Sequence, residues 1–128
     1  MKINVAVDAV ILHANALLLV QRGKDPFKGF WALPGGFVEY GETTEEAVVR
    51  EVREETNLAC EIVRLIGVYS DPHRDPRGHT ISIVYEVSVI SDDAIAGDDA
   101  ALASWFPLSS LPENIAFDHL KIILDAIG

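Results

Sequence analysis

The sequence predicts an α/β fold of the α+β kind, a layered α/β/α domain in which helices cover a sheet. Three observations carry that expectation. Apolar and polar residues alternate over several short stretches, the period of a half-buried strand. A central segment, from about Thr44 to Thr56, has helical periodicity behind a capping signal. The tail carries a second helical stripe, and locally pairing strands with one central and one terminal helix make a layered domain. With 128 residues, the chain reads as a single domain over 1–128, long enough to bury a core.

Ile3, Val5 and Val7 alternate with Asn4, Ala6 and Asp8, a strand with one solvated face, and the pattern runs on to Leu12. It breaks at His13-Ala14-Asn15 and resumes from Ala16 to Gln21, which predicts an antiparallel hairpin. Arg22 to Gly29 is a loop of breakers and positive charge. Trp31-Ala32-Leu33-Pro34 leads into Gly35-Gly36, read as a turn, with Phe37-Val38-Glu39 as a short strand and Gly41 as a second reversal. Thr43 followed by Glu46 has capping-box spacing, and Val48, Val49 and Val52 give the helix an apolar stripe. Asn57 closes it, since asparagine tolerates the left-handed conformation.

Leu58, Cys60 and Ile62 alternate again, and Leu65 to Tyr69 reads as further strand. Ser70 to His79 is a loop by its two prolines and glycine. In the longest strand Ile81, Ile83, Tyr85, Val87 and Val89 take one face, with Thr80, Ser82, Glu86 and Ser88 opposite. Ser91 to Ala103 is an acidic loop, and Trp105-Phe106 a final short strand stopped by Pro107. From about Ile115 to Ile127, Phe117, Leu120, Ile123, Leu124 and Ile127 stand at helical spacing, which predicts a helix packed as core cover.

The formal net charge of −10 argues against a nucleic-acid backbone as partner, which calls for a basic stripe. No apolar run reaches the roughly 18 residues that span a bilayer, and the first residues are strand-like rather than a signal peptide. No nucleic acid, no membrane and a cytoplasmic setting are therefore expected. Cys60 is the only cysteine, which rules out an intrachain disulfide and leaves a small core residue as its reading.

The chemistry concentrates in Arg50-Glu51-Val52-Arg53-Glu54-Glu55. At about 100° per residue, Glu51, Glu54 and Glu55 fall on one side of the helix, where their mutual repulsion invites a cation. Carboxylates are hard ligands suited to Mg²⁺ or Mn²⁺, reaching the smaller ion at roughly 2.0–2.1 Å. Glu54 is placed either to add a ligand or to activate water, and the Arg50 fork to hold a carboxylate. The bland alternative is a solvated helix laced with Glu/Arg pairs. The Gly-Gly entrance and Glu42 ahead of the helix argue against it.

Gly36, Glu42, Arg50, Glu51, Val52, Glu54, Glu55 and Leu58 are spaced as in G-x5-E-x7-R-E-U-x-E-E-x-G-U, where U is aliphatic. This resembles the Nudix box of the Nudix hydrolase superfamily, and only Asn57 departs, standing where the family has glycine. Trp31 to Gly36 and Trp105 to Leu108 are also similar, so the resemblance covers nearly the whole chain. It implies a Nudix-type α/β/α sandwich with a mixed β-sheet, and cleavage by water of a nucleoside diphosphate linked to another moiety. It further implies Mg²⁺ (or Mn²⁺) on Glu51, Glu54 and Glu55 with the Gly35 carbonyl, oriented by Arg50 and Glu42. For the general base it leaves Glu54 and the late-loop acids Asp98 and Asp99 open.

Ser70-Asp71-Pro72-His73-Arg74-Asp75-Pro76-Arg77-Gly78-His79 resembles the corresponding loop of ADP-ribose pyrophosphatases. Arg74 and Arg77 suit a second phosphate or the terminal ribose, and Arg22 and Lys28 are further cations for phosphate. Trp31, Phe30 and Tyr85 are candidates to stack on a base, against core packing, and the resemblance of Ile115 to His119 to related members implies adenine contact by Asp118 or His119, against helix capping. The leading expectation is an ADP-ribose pyrophosphatase giving AMP and ribose 5-phosphate. Its rivals are a pyrophosphatase for oxidised or noncanonical nucleoside triphosphates, and a non-catalytic domain that senses ADP-ribose. Related enzymes are often homodimers, an arrangement that the apolar tail permits.

Overall fold

The computed structural model describes residues 1–90 and 103–128. In chain order the elements are β1 (Asn4–His13), β2 (Ala16–Gln21), β3 (Trp31–Ala32), β4 (Gly35–Phe37), α1 (Thr44–Thr56), β5 (Cys60–Tyr69), β6 (Thr80–Val89), β7 (Ala103–Pro107) and α2 (His119–Ile127). A parallel pair lies at the centre, β1 on β6, in register from Asn4↔Thr80 to Ile11↔Val87. β5 runs antiparallel on the far side of β6 with two register shifts, and Gly35–Phe37 of β4 pairs antiparallel with Ala6–Asp8 of β1. The far end of β1 turns through Ala14 and Asn15, both at positive φ, into β2. That two-residue geometry matches strand twist, and it lets β2 carry β3 and β7 as a second antiparallel group.

Two apolar layers sandwich the sheet. Val7, Ala9, Ile11, Tyr85 and Val87 pack with Ala47, Val48 and Val52 of α1. Val10, Leu17, Leu19 and Val84 pack with Ile122 and Ile123 of α2. The expected α/β/α architecture with a mixed sheet is present. So is the first helix: Thr43 caps Glu46 N–H, the Glu46 side chain returns to the Thr43 N–H, and Asn57 stops the helix at φ 63°. Cys60 is a buried core residue, its thiol pushed up to about 11 by burial.

Three expectations about surfaces are corrected. β1 does not have a solvated face: Asp8 and Val10 are buried along with Val7 and Ile11, while Ile3 and Val5 are exposed. β6 is likewise covered on both faces, with Thr80, Ser82 and Val84 buried. A strand in the middle of a two-layer cover has no polar side to show, so strict alternation breaks down. The tail helix starts at His119 rather than near Ile115, because the Phe117 backbone lies at φ 55° and Ile115 bridges to Trp31. Its buried face is His119, Ile122 and Ile123, whereas Leu120, Leu124 and Ile127 are exposed. The expected Ser91–Ala103 loop, with Asp98 and Asp99, lies outside the described residues apart from Ala103, which belongs to β7.

Candidate active site

Gly35 and Gly36 are a strand, not a turn, and their lack of side chains brings α1 onto β1. A Cβ on Gly35 would collide with the Val7 carbonyl oxygen and the Asp8 carboxylate, and one on Gly36 with the Glu51 carboxylate. The backbone N–H of Gly35 donates to Glu55 Oε2 at 2.7 Å. The glycines thus thread β4 between a buried aspartate and two helix glutamates.

Arg50 organises the outer acids. Its Nε and Nη2 donate to Glu42 at 2.7 and 3.0 Å, Nη1 reaches Glu51 at 2.8 Å and Glu54 at 3.2 Å, and Nη2 also caps the Phe37 carbonyl at 3.1 Å. The Arg50 hydrogen bond holds the Glu42 carboxyl down at about 2. Deeper in, burial pushes Glu55 up to about 8, with the neighbouring Glu51 charge adding to it. Glu51 is raised as well, again by burial first. Desolvated carboxylates that repel one another fit a hard divalent cation, which would supply the missing positive charge. Among the described residues, however, no three acidic, histidine or cysteine groups come together as a ready cage. Glu54 is half exposed and turned to Arg50, so a three-carboxylate set requires it to leave that contact.

Gly35, Gly36, Glu51 and Glu55 border a cleft of about 550 Å³ whose lining carries both signs of charge. Its lining brings Asp8, Gly35, Gly36, Glu51 and Glu55 together with Arg22, Lys24, Arg74 and Arg77, and with Phe37 and Phe117. Arg74 is held by Asp118 through two bonds of 2.9 and 2.7 Å and is nearly buried, its side chain 6% exposed. Arg77 is fixed by Asp75 in the same forked way, at 3.1 and 2.8 Å. Arg22 donates Nε to the Pro26 carbonyl at 2.7 Å, and makes no ion pair among the described residues.

The expected site residues therefore divide. Gly35, Glu51, Glu55, Arg22, Arg74 and Arg77 share the cleft; Glu42, Arg50 and Glu54 stand behind its acidic lining. Asp118 reaches the site through Arg74 rather than by lining it. The Trp31 ring is not brought to the cleft, because it packs edge-on against Phe106 with centroids 4.8 Å apart. Asp99 lies outside the described residues, and Lys28 is not in the cleft lining.

Sequence reasoning missed Asp8, Ser82 and the cleft position of Phe117, and it named His119 for contact with adenine rather than for a place beside Asp8. Asp8 accepts from Ser82 Oγ and is pushed up to about 7, chiefly by burial. His119 lies 3.8 Å from Asp8, yet this is no ion pair: burial drives the imidazole down to about 3. Its Nδ1 accepts from the Leu33 N–H at 3.0 Å, which leaves the ring proton on Nε2, toward Asp8. An aspartate within an apolar run was the available signal for Asp8.

A mixed α/β/α sandwich that sets a carboxylate-bearing helix and a group of arginines around one cleft defines a class of enzyme acting on phosphate-rich small molecules. Within that class the chain belongs to the NUDIX family, whose domain model matches residues 2–126. It is 59% identical to the ADP-ribose pyrophosphatase of Methanocaldococcus jannaschii over 121 residues, 94% of this chain and 71% of that one. The NUDIX domain of Shewanella oneidensis NrtR complexed with ADP ribose superposes with a TM-score of 0.85 at 32% identity, covering 99% of this chain and 88% of that one. The bifunctional NMN adenylyltransferase/ADP ribose pyrophosphatase of Francisella tularensis gives 0.79 at 33% identity, over 98% of this chain and 41% of that larger one. Among the described residues no helix is long and apolar enough to cross a membrane.

Proposed function

We propose that this Nudix hydrolase splits the diphosphate of ADP-ribose, adding water across one phosphoanhydride P–O bond to give AMP and ribose 5-phosphate. The observation that carries the reading is one cleft, sized for a small ligand, that Glu51 and Glu55 line together with Arg22, Arg74 and Arg77. The 59% identity to an ADP-ribose pyrophosphatase supports the substrate.

Glu51 and Glu55, Glu54 once it is released from Arg50, and the Gly35 carbonyl would hold Mg²⁺ or Mn²⁺. A bound ion of that kind neutralises diphosphate charge and lowers the pKa of water. The chain's own residues do the rest. Arg50 keeps Glu51 and Glu54 in reach while Glu42 fixes its fork. The arginines hold the diphosphate in place, and the bridging oxygen leaves on the departing phosphate. Glu54 and Asp99 are the candidates to accept the water proton. E54Q and D99N compared over a pH–rate profile assign that role to whichever loses the acidic limb, where protonation of the base slows the wild type.

A regulatory reading draws on the likeness to the ADP-ribose complex of the NrtR domain. The full acidic set from Glu42 to Glu55 favours catalysis, since a sensor needs ligand contacts but not a cation-binding face. Turnover of ADP-ribose against a panel of nucleoside triphosphates tests the proposal. ADP-ribose is expected to lead in kcat/KM with Mg²⁺ or Mn²⁺ present; faster release of pyrophosphate from any triphosphate would replace it.

A further inference from the structure

Phe117 occupies a position that neither the acidic face nor the arginine pairs explain. Its backbone is at φ 55°, a conformation that bulky L residues avoid, so its surroundings must hold it there. They do so on three sides. The preceding Ala116 N–H donates to the Trp31 carbonyl at 2.8 Å, Asp118 grips Arg74, and His119 accepts from Leu33. The Phe27 ring meets Phe117 edge-on at 4.9 Å.

The result is a phenyl ring fixed in the cleft with two guanidinium groups on it. Arg22 lies 4.9 Å and Arg77 5.4 Å from its centroid. Arg77 is also 5.6 Å from the Phe37 ring. Two like charges gathered on one ring repel each other, and after burial the Arg77 charge is the next cause that lowers Arg22. Asp75 balances Arg77, while the Arg22 side chain, among the described residues, hydrogen-bonds to a carbonyl and not to a carboxylate. An aromatic face attracts a cation without taking up its donors, so, among the described residues, both Nη groups of Arg22 and the Nη1 of Arg77, which Asp75 does not engage, are left for a ligand.

We infer that Phe117 is a positioning residue that sets Arg22 and Arg77 as a two-pronged grip for the phosphate held away from the carboxylates. The inference rests on the diphosphate reading above, but not on ADP-ribose being the substrate. Phe117 touches the arginines rather than the reacting atoms, so its effect belongs in ligand binding and not in the chemical step.

The test is binding of inorganic pyrophosphate to metal-free full-length protein by calorimetry, in wild type, F117L and F117Y, beside KM and kcat for ADP-ribose. F117L keeps an apolar side chain and removes the ring; it is expected to weaken pyrophosphate about tenfold and to raise KM similarly, with kcat within about twofold. F117Y keeps the π face and is expected to bind within about twofold of wild type. If F117L does not fold, F117M supplies the same comparison with an unbranched apolar chain. Wild-type pyrophosphate affinity in F117L or F117M, or equal losses in F117L and F117Y, would overturn the inference. ADP-ribose failing as a substrate while F117L still loses pyrophosphate would sink the substrate assignment and leave the grip standing.

Discussion

At the residue scale the site turns on how burial and charge share out protons. Glu55, pushed up to about 8, carries a proton in the metal-free fold that the unfolded chain releases around 4.5. Between these values the folded state binds more protons, so stability falls as pH rises through the window. His119 works in the opposite direction: held down at about 3 against an ordinary 6.5, it removes stability as pH falls below 6.5. Above pH 6.5 the imidazole is neutral folded or unfolded, and the acids dominate. Metal-free protein is therefore expected to lose on the order of 1 kcal/mol between pH 6.5 and 8. E55Q should flatten that slope in thermal unfolding while cutting turnover by orders of magnitude. A slope unchanged in E55Q would mean that Glu55 is not the group. Glu51, Glu54 and Glu55 were legible as a face because helix periodicity is written in the sequence. Asp8 was not, since a strand's buried side reads as polar or apolar only after its cover is known.

At the scale of elements, β4 packs against the helix acids and the turn before α2 against the arginines. G36A leaves a strand that any residue's φ could follow, yet its methyl would displace the Glu51 carboxylate. A shift of about an ångström at such a group costs about a hundredfold in turnover, so G36A is expected to fold and to lose activity on that scale. Wild-type kcat in G36A would show that Glu51 adjusts freely. Asp118 supports Arg74. Removing it in D118A strands a nearly buried Arg74 guanidinium and should cost on the order of 3 kcal/mol by denaturant titration. The apolar pair R74M/D118L should cost less than D118A alone, because no uncompensated charge remains. Capping was the most readable local feature. The Thr43/Glu46 box and the left-handed Asn57 appear where the spacing put them, and T43A should lower stability by about 1 kcal/mol with KM for ADP-ribose unaltered. The Gly-Gly segment was misread because paired glycines usually mark a turn. Here they mark close approach, a property of the tertiary contact rather than the dipeptide.

For the molecule as a whole, the layered fold followed from element order, and the reaction class from the resemblance of the acidic segment to the Nudix box. What periodicity did not reveal was which residues each layer would hide. The tail stripe is half exposed, with Leu120, Leu124 and Ile127 outside, because the backbone turns at Phe117 before α2 begins and rotates its face. That same turn brings Phe117, Asp118 and His119 to three different parts of the cleft's surroundings, a convergence that no sequence spacing encodes. The central claim concerns the whole cleft, carboxylates for a cation and arginines for a phosphate acting on a single diphosphate. It is tested most directly by incubating the enzyme with ADP-ribose and Mg²⁺ and identifying products by phosphorus NMR and chromatography. AMP and ribose 5-phosphate in equal amounts, lost on adding a chelator and lost in E55Q, is the predicted result. Intact ADP-ribose under those conditions, or undiminished cleavage in E55Q, would contradict the account.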